Sequence, residues 1–172
     1  FSSTPISLSE KRPASERAGA QTVTYHLEAA PARSLAGRFS DNEIGVLEKL
    51  NRADRDHLRQ LPALVIPDQW PDDERAFSPL PRHYDAARTL STALVVHLPA
   101  QAFGAYEFGN LVRWGPLSSG NEENPTPPGL YHLNWRAAGR ASTVNPEWFL
   151  RWYFNFEHEQ GRGCHLYDLP GQ

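Results

Sequence analysis

ALVVHLPAQAFGAYEFGNLVRWGPLSSGNEENPTPPGLYHL, residues 93–133, decides the fold. Its β-branched, leucine and aromatic residues come in short runs: TALVVHL at 92–98, AFGAYEF at 102–108, LVRWGPLS at 111–118 and GLYHLNW at 129–135. Turn-forming residues separate them, at Pro99, at Gly109-Asn110 and across SSGNEENPTPPG. Short β-prone runs punctuated in this way predict strands joined by hairpins, so a mainly β domain of sandwich or barrel-like form.

Toward the C-terminus the same texture resumes in WYFNF, residues 152–156, and GCHLY, residues 163–167. Between them and the first strands, Asn145-Pro146-Glu147 can open a helical turn over residues 148–151. Toward the N-terminus the pattern changes. IPDQWPDDERAFSPLPRHYD, residues 66–85, is rich in proline and acid and suits an extended surface crossing between two packed pieces. Before it, FSDNEIGVLEKLNRADRDHLRQLPALVIPD predicts a helix N-capped by Ser40 or Asp41, with Ile44, Leu47 and Leu50 on one face and Asn51 at its end. A second short helix over residues 53–61 would turn His57, Leu58 and Leu61 inward, and Pro62 would stop it before the strand ALVI at 63–66. Residues 1–39 are Ser-, Ala- and Arg-rich and predict a mobile lead-in, with TVTYHL at 22–27 as one strand at most. The organisation expected is therefore lead-in (1–39), helix–helix–strand segment (40–68), linker (69–90) and β domain (91–172).

Composition removes several classes of function. A net charge of -3, with the basic residues scattered, supplies no electrostatic footprint for nucleic acid. No apolar run approaches the roughly 20 residues that cross a bilayer as a helix. The sequence lacks HExxH, P-loop, GxSxG and dinucleotide fingerprints. A zinc site built from His158, Cys164 and His165 would lack a second close pair at ligand spacing. His158 belongs to a charged turn, while His97 and His132 alternate with apolar neighbours and suit either core or surface.

The chemistry-bearing residues gather at the end of the chain. GRGCHLYDLPGQ, residues 161–172, holds the single cysteine, Cys164, directly beside His165. Taken with this ending, the order of parts from residue 93 resembles the L,D-transpeptidase catalytic domain, the cysteine enzymes that cross-link bacterial peptidoglycan. The likeness lies in a strand ending at a Gln-containing turn (Gln101), a Gly-Asn hairpin (Gly109, Asn110), a strand running into Ser118-Ser119-Gly120, a Thr126-Pro127-Pro128-Gly129 turn, and a His-containing strand followed by Leu-Pro-Gly. KLNRADRDHLRQLPALVIPD likewise resembles the tail of a LysM-like segment.

The resemblance implies an L,D-transpeptidase-like β-sandwich preceded by a LysM-like segment, in a bacterial protein exported to the periplasm or cell envelope. It implies that His165 is the general base, that Tyr153 and Asn155 line the substrate cleft, and that Pro127 and Gly129 shape the loop before the catalytic half. The partners are peptidoglycan stem peptides, and no metal or organic cofactor is implied. The family's nucleophile belongs to a Ser-His-(Gly or Ala)-Cys motif about a dozen residues after His165, so residues 1–172 alone are expected to be inactive. Cys164 then becomes a buried, inert residue: on a strand it alternates with His165, and the two side chains point to opposite faces. The alternative is a non-catalytic peptidoglycan-binding protein with the same fold.

Overall fold

The computed structural model describes residues 5–9, 23–29, 35, 37–142, 145–157 and 162–166. It is mainly β. In chain order come β1 (Pro5–Ser9), β2 (Tyr25–Ala29), α1 (Asp41–Asn51), α2 (Arg55–Leu58), β3 (Ala63–Pro67), β4 (Ala93–His97), β5 (Ala102–Glu107), β6 (Asn110–Pro116), β7 (Gly129–His132), β8 (Trp135–Ala141), β9 (Phe149–Glu157) and β10 (Arg162–Leu166). Three sheets result: β6-β5-β4-β1-β7, β10-β9-β8 and β2-β3.

The small N-terminal unit is built around α1. Ser40 caps it through a reciprocal box with Glu43: the Glu43 amide donates to Ser40 Oγ at 3.3 Å, and the Ser40 amide donates to the Glu43 carboxylate at 2.6 Å. Arg52 closes the helix in the left-handed conformation. The Asn51 side chain then acts as a surrogate strand residue, accepting from the Val65 amide at 2.7 Å and donating to the Val65 carbonyl at 3.0 Å. Leu35, Ile44, Leu47, Leu58, Leu64 and Ile66 form the core beneath. Each such fully buried aliphatic side chain contributes about 1.5–3 kcal/mol. α2 is shorter than expected, and His57 stays outside rather than inward, because Asp54, the N-cap, holds its imidazole at 2.8 Å.

Two expectations from composition differ from the structure. The lead-in carries β1, which pairs parallel with β4 and antiparallel with β7, besides β2, which overlaps the strand allowed at 22–27 and pairs antiparallel with β3. The Pro-rich segment is packed into the larger core, not laid over the surface. Phe77, Leu80 and Ala87 are buried there with Val95, Tyr106, Leu111 and Trp114. Its backbone carbonyls satisfy the buried polar tips of the aromatic rings, Pro81 accepting from Tyr106 Oη at 2.8 Å and Glu74 from Trp114 Nε1 at 2.9 Å. Proline richness had disguised a segment whose carbonyls are needed inside.

Strands β4, β5, β6, β7, β9 and β10 fall close to where alternation put them, whereas β8 was not expected, and two local corrections follow. The β5–β6 hairpin turns on Phe108-Gly109, both at positive φ, with Glu107 paired to Asn110. This is the two-residue geometry that matches strand twist. The helical turn expected over residues 148–151 is instead the start of β9: the Trp148 amide donates to the Asn145 carbonyl at 3.0 Å, and the Ser142 amide to the Trp148 carbonyl at 2.8 Å. Asn145-Pro146-Glu147 therefore lies in the chain reversal between β8 and β9.

Candidate active site

Gln101 fastens the mouth of the first hairpin. At positive φ, it donates through Nε2 to the Leu98 carbonyl and to Ser119 Oγ, both at 2.7 Å, and accepts from the Ser119 amide through Oε1 at 2.9 Å. One side-chain amide thus holds the start of the polar loop. Thr126 Oγ1, accepting from the Gly120 amide at 2.9 Å, folds that loop back so that residues 126–129 lead into β7. These groups fix backbone shape.

β9 is the central strand of the last sheet and carries the remaining candidates. Its register with β8 pairs Trp135 with Asn155, Ala137 with Tyr153 and Gly139 with Arg151, which puts Tyr153 and Asn155 on one face. Both are buried, at 4% and 1% exposure. Asn155 is tied to Asn134, whose Nδ2 donates to Asn155 Oδ1 at 3.1 Å. The Tyr153 ring lies 5.0 Å from that of Trp135, and the Arg140 guanidinium stands over both, 4.9 Å from Tyr153 and 5.3 Å from Trp135. Gly163 on β10 makes room for the same ring, since a Cβ there would come within 2.3 Å of it.

β10 brings the Cys-His pair alongside. Gly163 pairs with Asn155, Cys164 with Phe154 and Leu166 with Arg151. Two residues of β9, Trp152 and Tyr153, therefore stand opposite His165 alone, a bulge in β9. The side chain of His165, all of His158 and residues 169–171 lie outside the described residues. Cys164 is partly buried, and burial pushes its thiol above its ordinary value of 9.0, away from the thiolate that nucleophilic attack requires. His97 Nδ1 accepts from the Ala100 amide at 3.1 Å and caps a turn, and His132 is exposed at the end of β7.

Asn134, Trp135 and Arg140 did not stand out in the sequence, and Trp152, one of the aromatic residues crowding 148–156 whose first reading is core, is exposed instead. NWRAAGRA carries no clear alternation, and only the pairing of β8 with β9 brings its arginine over the Tyr153 ring. Among the described residues no three His, Cys, Asp or Glu side chains gather as metal ligands, and no helix is long and apolar enough to cross a membrane.

No curated protein and no solved structure matches the chain. One family model does: YkuD, the L,D-transpeptidase catalytic domain, over residues 91–169. That interval begins just before β4 and runs through β10, taking in Gln101, the β5–β6 hairpin, the polar loop and the Cys-His strand. Over residues 91–169 this chain is therefore similar to the YkuD family of L,D-transpeptidase catalytic domains.

Proposed function

We propose that the protein is a peptidoglycan L,D-transpeptidase working in the bacterial cell envelope after export. The observation that carries this reading is the family match over residues 91–169, which ends just after the strand bearing His165. In the proposed reaction a cysteine thiol, supplied by the Ser-His-x-Cys motif that follows Leu-Pro-Gly in this family, gives its proton to His165. Its sulfur bonds to the carbonyl carbon at the L-centre of a tetrapeptide stem. Collapse of the tetrahedral intermediate breaks the bond to the terminal D-residue, whose amine leaves with the proton from His165. An amine of another stem then attacks the thioester, and its proton returns through His165 to the sulfur. Backbone N–H groups near the cysteine would hold the oxyanion. Tyr153 and Asn155, both buried on β9, would support the wall of the cleft from within and not line it. The sandwich form of the domain is supported by the edge-on contact of Tyr131 on β7 with Phe156 on β9, rings 5.2 Å apart, which joins the two larger sheets.

The raised Cys164 thiol supports a nucleophile elsewhere. The test is intact-mass detection of an acyl adduct after exposing the gene's complete product to a carbapenem-type β-lactam. The adduct is expected on the cysteine of the Ser-His-x-Cys motif, with acylation slowed by about two to four orders of magnitude in His165→Ala and retained in Cys164→Ser. An adduct on Cys164, or unslowed acylation of His165→Ala, overturns the reading.

A second reading, a non-catalytic peptidoglycan-binding protein, is favoured by one observation. β2, α1, α2 and β3 form a unit with its own apolar core, as a LysM-like binding module would need. Binding to purified peptidoglycan without any acyl adduct on the complete product would select it.

A further inference from the structure

Four non-glycine residues have positive φ among the described residues: Arg52, Gln101, Phe108 and Trp152. The first three have local reasons, a helix C-cap, a turn clamped by three side-chain hydrogen bonds and a two-residue hairpin. Trp152, at φ 49°, lies inside a nine-residue strand. A left-handed conformation at a bulky side chain in a strand is an outlier, and such strain persists where something other than stability retains it.

Its surroundings indicate what that is. Trp152 and Tyr153 are the two residues of β9 that oppose His165 of β10. Tyr153 turns inward, whereas the Trp152 indole is 58% exposed, so the ring contributes little to packing. The bulge separates two neighbouring rings, sending one into the core and presenting the other to solvent beside the histidine strand. Bulges next to active sites commonly re-aim a side chain in this way.

We propose that Trp152 is a substrate-contact residue, an aromatic wall against which the peptide stem of the acyl donor lies as it reaches His165. The proposal rests on the transpeptidase reading. A broad π-face with few rotamers orders an extended peptide at low entropic cost. The ring touches the stem in both ground and transition states, so it acts on binding and not on the chemical step.

The test uses the gene's complete product, with Trp152→Gly and Trp152→Phe. Glycine accepts the left-handed backbone and removes the ring, while phenylalanine keeps a ring. Binding of a synthetic tripeptide stem, unreactive because it has no terminal D-residue to lose, is measured by calorimetry, and thermal stability by circular dichroism. The expected result is a Tm for Trp152→Gly equal to or above that of the parent, with the tripeptide bound about tenfold more weakly, and Trp152→Phe in between. If the parent binds no tripeptide, the transpeptidase reading fails and this proposal with it. If the parent binds and Trp152→Gly binds equally well, only this proposal fails. A lower Tm for Trp152→Gly would make the ring part of the core and also overturn it.

Discussion

Asn134 holds Asn155 at two points: its backbone amide donates to the Asn155 carbonyl at 2.8 Å, and its side-chain amide to Asn155 Oδ1 at 3.1 Å. The two hydrogen bonds fix the place where the chain leaves β7 and enters β8, against the middle strand of the sheet. Asn155 is a fully buried polar side chain that must keep these partners. Asn155→Leu is expected to destabilise the fold by about 1–3 kcal/mol, read as a lower urea midpoint. An unchanged midpoint would mean that the amide network adds nothing.

Gly109 closes the β5–β6 hairpin at φ 76°, with the Tyr84 carbonyl 2.9 Å from where a Cβ would sit. Backbone cannot yield there as a side chain can. Gly109→Ala should cost about 1–3 kcal/mol, from the left-handed conformation and the contact together, measured by chemical denaturation.

Asp73 binds two arginines, Arg75 at 2.8 Å and Arg82 at 2.5 Å, and these hold its carboxyl well below its ordinary value of 3.8, Arg75 contributing most. A depressed carboxylate stabilises the fold above its unfolded value, and that contribution is lost as pH falls below about 4. Because the pair is well exposed, Asp73→Asn should cost only on the order of 1 kcal/mol at neutral pH after solvent screening. The difference from the parent should shrink in denaturation series run toward pH 3.

The strands around Val95, Tyr106 and Trp114 were legible because alternation and turn residues are local signals. So was the likeness to the YkuD family, whose marks are an order of short motifs. The placement of β1 was not legible, since a five-residue strand completed by β4 and β7 owes its existence to partners far along the chain. The inward packing of Phe77 and Leu80 was hidden for a similar reason: proline and acid describe a segment's own backbone, not the carbonyls that Tyr106 and Trp114 require. At the site, the resemblance to the family singled out Tyr153, Asn155 and the Cys-His strand, whereas the bulge at Trp152 depends on register and carries no sequence mark.

Cys164 offers a check on electrostatics. Its neutral thiol is favoured in the folded protein, so the unfolded chain ionises first, above its ordinary value of 9.0. The resulting stabilisation is complete below that pH and is lost as pH rises from there through the higher folded value. Alkylation by iodoacetamide at neutral pH should be much slower in the folded protein than in denaturant. Equal rates would mean that the thiol is open to solvent.

Trp70 packs against both apolar clusters, meeting Phe39 of the small unit at 5.6 Å between rings and Phe77 of the larger at 6.1 Å. Lys49 of α1 reinforces the junction, paired with Glu74 and lying over the Trp114 ring. A molecule joined in this way should transmit force as one piece. Load applied to the small unit would reach the β domain without an intervening slack spring, and the two halves would yield together in a single rupture event.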